Sequence, residues 1–88
     1  MGKSGAVITT FKIMPEGVET NLDEIEKQIQ EKIKPSKLQR IPIAFGLNSI
    51  VIVKLIEEKE GEVDRITEQI KAIHGVRGVE ITNVARSW

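Results

Sequence analysis

Apolar and polar positions alternate along "AVITTFKIM", Ala6 to Met14. Val7, Thr9, Phe11 and Ile13 fall on one face, and Ile8, Thr10 and Lys12 on the other. The β-branched and aromatic content predicts a strand, closed by Pro15. The period then changes. In "NLDEIEKQIQEKI" the apolar residues Leu22, Ile25, Ile29 and Ile33 recur at helical spacing. Asn21 is placed to cap the amino end and Glu24 to complete a capping box. Pro35 ends the helix.

"KLQRIPIAF" is a weaker strand whose apolar content is Leu38, Ile41 and Ile43. Pro42 has no N–H to donate, so this strand belongs at an edge or is interrupted there. "LNSIVIVKLIEE" is the strongest strand. Its continuously apolar centre, Ile50 to Val53, predicts cover on much of both faces. "EVDRITEQIKAIHG" returns to helical spacing with Val63, Ile66, Ile70 and Ile73, and Gly75 is the expected carboxyl cap. "VRGVEITNVARSW" closes the chain as a strand. The order β-α-β-β-α-β, with right-handed crossovers, predicts an α+β, ferredoxin-like fold: a four-stranded antiparallel sheet with both helices on one face. The whole chain, 1–88, is read as one domain, with residues 1–5 as a disordered start.

Composition narrows the function. Lys plus Arg and Asp plus Glu are 13 each, so the chain lacks the basic surplus needed to hold phosphate backbones. Two Phe, one Trp and no Tyr leave little for an aromatic RNA-binding sheet. There is no cysteine, hence no disulfide framework, thiolate metal site or cysteine nucleophile. No apolar run nears the roughly 20 residues that span a bilayer. With no signal-peptide pattern at the start, the expected location is intracellular.

Recognisable bond-breaking chemistry is missing. "GKS", Gly2 to Ser4, lacks the upstream glycine, the preceding strand and the following helix of a phosphate loop. His74, the single histidine, falls at a helix end where terminal carbonyls suit it. It has no evident base partner or metal shell. The carboxylates lie on helix faces and in the Glu57–Glu62 turn, where charge is ordinarily solvated. The expectation is a protein that is no enzyme and holds no metal or cofactor.

Two features are left. In "IPIAFGL", Ile41 to Leu47, Phe45 stands between Ala44 and Gly46, where the chain should turn. Either Phe45 is core and Gly46 permits the turn, or the small neighbours leave a ring at a loop tip to enter a partner's pocket. At the end, "ITNVARSW" puts Arg86 close to the terminus. It is either a solvated side chain on a frayed end, with Trp88 folded back, or a cation free to enter a partner's charged site. Periodicity does not choose.

The "PIAFGL" loop, the strand "AVITTFKIMPEG", the long apolar strand after the loop and the ending "GVRGVEITNVAR" together resemble the archaeal translation elongation factor 1-beta family. The likeness extends to the catalytic carboxyl-terminal domain of the eukaryotic factor and covers essentially the whole chain. It implies a ferredoxin-like fold and a cytoplasmic guanine nucleotide exchange factor, monomeric when free. Such a factor would release GDP from elongation factor 1-alpha and bind no nucleotide, nucleic acid or membrane itself. It implies partner-binding roles for Pro42, Ala44, Phe45, Gly46 and Arg86. Phe45 would insert into the GTPase and disturb its nucleotide site, and Arg86 would enter its magnesium site, so that both act near the bound nucleotide. The eukaryotic members carry Lys at the Arg86 position; Arg keeps the charge but presents a bulkier planar fork. The alternative from a different class is a ferredoxin-like small-molecule-sensing domain, which predicts a pocket between protomers and a stable dimer.

Overall fold

The computed structural model describes residues 5–57 and 61–87. The elements follow as β1 (Ala6–Pro15), α1 (Leu22–Lys32), β2 (Lys37–Pro42), a 3₁₀ turn (Ala44–Gly46), β3 (Asn48–Glu57), α2 (Glu62–Lys71) and β4 (Val76–Ser87). One four-stranded sheet has the order β2-β3-β1-β4, and every neighbouring pair is antiparallel. This is the expected ferredoxin-like α+β arrangement. The disordered start expected for 1–5 and the docking of Trp88 fall on or next to residues outside the description.

Both helices pack on the face to which β1 sends Val7, Phe11 and Ile13 and β3 sends Ile50, Ile52 and Ile56. Ile25, Ile29 and Ile33 come down from α1, and Ile66, Ile70 and Ile73 from α2. Each fully buried isoleucine side chain contributes roughly 1.5–3 kcal/mol. Thr9 is buried on the same face, and its Oγ1 has no hydrogen-bond partner among the described residues. Asn21 caps α1 as expected, its Oδ1 accepting from the Glu24 N–H at 3.2 Å. The helix stops before Pro35 with Lys34 in the left-handed region at φ +54°.

Three local expectations change. The second strand ends at Pro42 instead of running to Phe45. The Ile43 N–H donates to the Leu47 carbonyl at 2.8 Å and the Leu47 N–H to the Ala44 carbonyl at 3.3 Å, so the chain coils into a tight turn there. The second helix stops at Lys71 with Ala72 as its cap, not Gly75. Gly75, at φ +96°, serves a second turn, in which the Val76 N–H donates to the Ile73 carbonyl at 3.2 Å. A Cβ there would lie 3.0 Å from Thr20 Cγ2 and 3.3 Å from Ile25 Cδ1, so space as well as φ demands glycine. Finally, β3 is fully covered on one face only. Ile50 and Ile52 are buried, whereas Val51 and Val53 are half-buried on the face without helices and Leu55 is exposed. With both helices on one side, the β3 residues of the other face are only partly covered, except Ser49 at the strand's start, which is buried.

Candidate functional site

Pro42 lies at the end of edge strand β2, opposite Asn48 of β3, and is exposed. The edge position answers its missing N–H. Ala44, Phe45 and Gly46 form the 3₁₀ turn that joins β2 to β3. Ala44 and Gly46 are exposed. Gly46 has φ +77°, yet a Cβ there would meet nothing within 4 Å. Its requirement is therefore the left-handed backbone and not room. The Ser49 Oγ donates to the Ile41 carbonyl at 3.3 Å, which ties the base of the hairpin.

The hairpin is also braced from below. Arg40, two positions before Pro42, shares the helix side of β2. Its guanidinium donates to Glu26 Oε2 at 2.5 Å and Oε1 at 3.2 Å, and also to Asp23. These bonds to two α1 carboxylates raise the Arg40 pKa above its ordinary value, the Glu26 hydrogen bond acting most strongly. The strand that delivers the turn is thus clamped to α1.

Arg86 is elsewhere. It is exposed on β4, opposite Val7 near the start of β1. The turn carrying Phe45 leaves the sheet at the other end, where Ile13 faces Ile50 and Pro15 faces Val76. The stretch from Val7 to Pro15 puts roughly 26 Å between these levels, in a molecule 47 Å along its longest axis. Pro42, Ala44, Phe45 and Gly46 are brought together; Arg86 does not join them. Whatever engages both must span the sheet.

An open recess of about 600 Å³ lies at the Phe45 end. It is lined by Glu16, Glu19 and Glu24 with His74 at the turn after α2. Among the described residues no group of three or more His, Asp or Glu is placed to hold a metal ion. No described helix is long and apolar enough to cross a membrane.

The sequence reading missed two apolar residues beside Arg86. Ile81 is 41% and Val84 53% exposed. Their shared face with Arg86 depends on an irregularity of β4 that has no sequence signature.

The model of the EF-1 guanine nucleotide exchange domain matches residues 8–86, a span that includes both the hairpin and the β4 tip. The chain belongs to this exchange-domain family. Its relatives include elongation factor 1-beta of Methanothermobacter thermautotrophicus, 35% identical over 86 residues, 93% of this chain and 97% of the relative. That of Ignicoccus hospitalis is 39% identical over 85 residues, 91% of this chain and 90% of the relative. That of Methanococcoides burtonii is 35% identical over 88 residues, 93% of this chain and 97% of the relative. Membership assigns the exchange domain a role in guanine nucleotide exchange.

Proposed function

We propose that the chain promotes GDP release and GTP loading on elongation factor 1-alpha, making and breaking no covalent bond itself. What carries the reading is the family match across residues 8–86, which takes in both candidate contacts. Phe45 falls within the tight turn that joins β2 to β3, and Arg86 near the end of β4.

Each contact has its own physical work. In a GTPase, Mg²⁺ bridges the nucleotide phosphates and is held partly by a carboxylate. Arg86, presented to such carboxylates, competes for the charge that keeps the ion. Phe45 is a large apolar wedge whose burial in a partner pocket supplies binding energy. With roughly 26 Å of sheet between the level of Arg86 and the end that carries the turn, the two enter the GTPase at separate points. Arg86 works at the nucleotide end, and Phe45 anchors and strains the partner farther away. Binding the empty GTPase best, the factor is in turn weakened by nucleotide, because linkage is reciprocal. GTP then enters and releases it. This work belongs in the cytoplasm, with the factor acting as a single chain.

The test is release of a fluorescent GDP analogue from elongation factor 1-alpha, with and without catalytic amounts of the protein. Acceleration is expected. No acceleration of a matched, folded partner would leave the ligand-sensing reading to be tried, by dimer formation and ligand screening.

A further inference from the structure

Ile81, Val84 and Arg86 occupy one face of β4. Ile81 stands opposite Phe11, Val84 opposite Thr9 and Arg86 opposite Val7, and these β1 residues all point to the helix side. Such a shared face is not what simple alternation predicts. Counting by twos from Ile81 leads to Asn83 and Ala85, and leaves Val84 and Arg86 on the opposite face. The register shifts between Thr10 and Phe11: Asn83 faces Thr10, Ile81 faces Phe11, and Thr82 has no opposite. This extra residue is a β-bulge, a device that re-aims the side chains beyond it.

The re-aimed side chains are not used for the core. Helix-side neighbours Val7 and Ile56 are buried, but Ile81 and Val84 are 41% and 53% exposed. The outer strand therefore carries two exposed apolar residues on its helix side, and the strip leads to a cation.

We infer that this helix-side strip, Ile81 and Val84 continuing into Arg86, docks the GTPase, and that the Thr82 bulge places the cation on the docking face. The inference rests on the exchange reading above. The occupant has apolar surface bordered by carboxylates, which is what the surroundings of a bound Mg²⁺–nucleotide offer to Arg86. A second copy of the chain fits less well. Two partly exposed aliphatic side chains fall far short of the roughly 800 Å² per partner of a stable interface, and pairing the strip with itself would oppose two arginines. The strip instead extends the Arg86 contact along the same strand and face.

Three variants test it, with exchange measured across a range of factor concentrations and binding measured directly to nucleotide-free elongation factor 1-alpha. Ile81→Thr with Val84→Thr keeps β-branched residues at exposed strand positions, and folding is checked by circular dichroism. About a ten-fold rise in both the half-saturating concentration and the dissociation constant is expected. Leu55→Thr changes an aliphatic residue of similar exposure, 52%, at the same end but on the opposite sheet face. It is expected to match wild type. Ala85→Arg with Arg86→Ala moves the cation to that opposite face, and is expected to be as inactive as Arg86→Ala alone. Wild-type behaviour of the threonine pair, full exchange by the relocated arginine, or an equal loss in Leu55→Thr each overturns the inference. If wild type binds without accelerating release, the exchange reading fails and the binding arm still decides the docking face. Absence of both binding and acceleration overturns both.

Discussion

Arg86 is paired with Val7 near the start of β1, and the turn carrying Phe45 leaves the sheet beyond the far end of that same strand. Roughly 26 Å of antiparallel ladder lies between these levels. Sites so far apart usually act independently on folding and on binding. Phe45→Ala and Arg86→Ala should therefore each slow GDP release without unfolding the domain. The double variant should lose the product of the two single factors, within about two-fold. Wild-type rates from both folded single variants would refute the two-contact reading, and a strong departure from the product would show that the partner couples the ends.

Gly46 holds φ +77° immediately after Phe45, with open space where a Cβ would go. Gly46→Ala should cost on the order of 1 kcal/mol in backbone strain. That cost is relieved by shifting the turn, not the core. Exchange should weaken through a higher half-saturating concentration while the melting temperature falls only slightly. An unchanged concentration dependence would mean that the turn's geometry is irrelevant to binding.

Arg40 joins edge strand β2 to α1 through Glu26 and Asp23. Its folded-state pKa is raised. The contribution is therefore fully present below the ordinary arginine value and lost only as pH rises through the folded value. Between pH 5 and 8, Arg40 itself contributes no pH dependence. The Arg40 guanidinium is exposed, so salt screens both ion pairs. Arg40→Ala should lower the melting temperature modestly in low salt, and the deficit should shrink at high salt. Amide exchange in β2 should quicken more than in β1. A deficit independent of salt would argue for lost packing of the side-chain stem instead.

Thr9 buries a hydroxyl with no hydrogen-bond partner among the described residues, between Phe11 and Val7 on the helix side of β1. Valine has the same shape without the polar atom. Thr9→Val should stabilise the fold by about 1 kcal/mol, from the desolvation cost that is removed. Urea denaturation measures it. A loss of stability would show that the hydroxyl has a partner in solution, such as a buried water.

Much of this molecule is visible in residue order. The alternation of Val7, Thr9, Phe11 and Ile13 and the helical spacing of Ile25, Ile29 and Ile33 are local patterns, and the same residues form the core. Pro42 marks an edge because a missing N–H is a local property, and β2 is an edge strand. Ile50 to Val53 misled for a related reason. A continuous apolar run says that burial is wanted, but not which face the helices take. Gly75 misled because it was read against the preceding helix, whereas its φ serves the turn after that helix and the lack of room for a Cβ comes from Thr20 and Ile25, which are distant in sequence.

The candidate contacts divide the same way. Residue types and spacing by themselves determined the order of elements, the core-facing side of β1 and of both helices, and the small residues flanking Phe45. All of these follow from side-chain size, backbone restriction and short-range period. Tertiary pairing alone decided that Phe45 and Arg86 belong to opposite ends of the sheet. It also decided that Thr82 bulges out, so that Val84 and Arg86 share a face with Ile81. Strand register is chosen by the fit of β4 against β1 and the helices, a sum over residues distant in sequence. A one-residue slip in it reverses every side chain beyond.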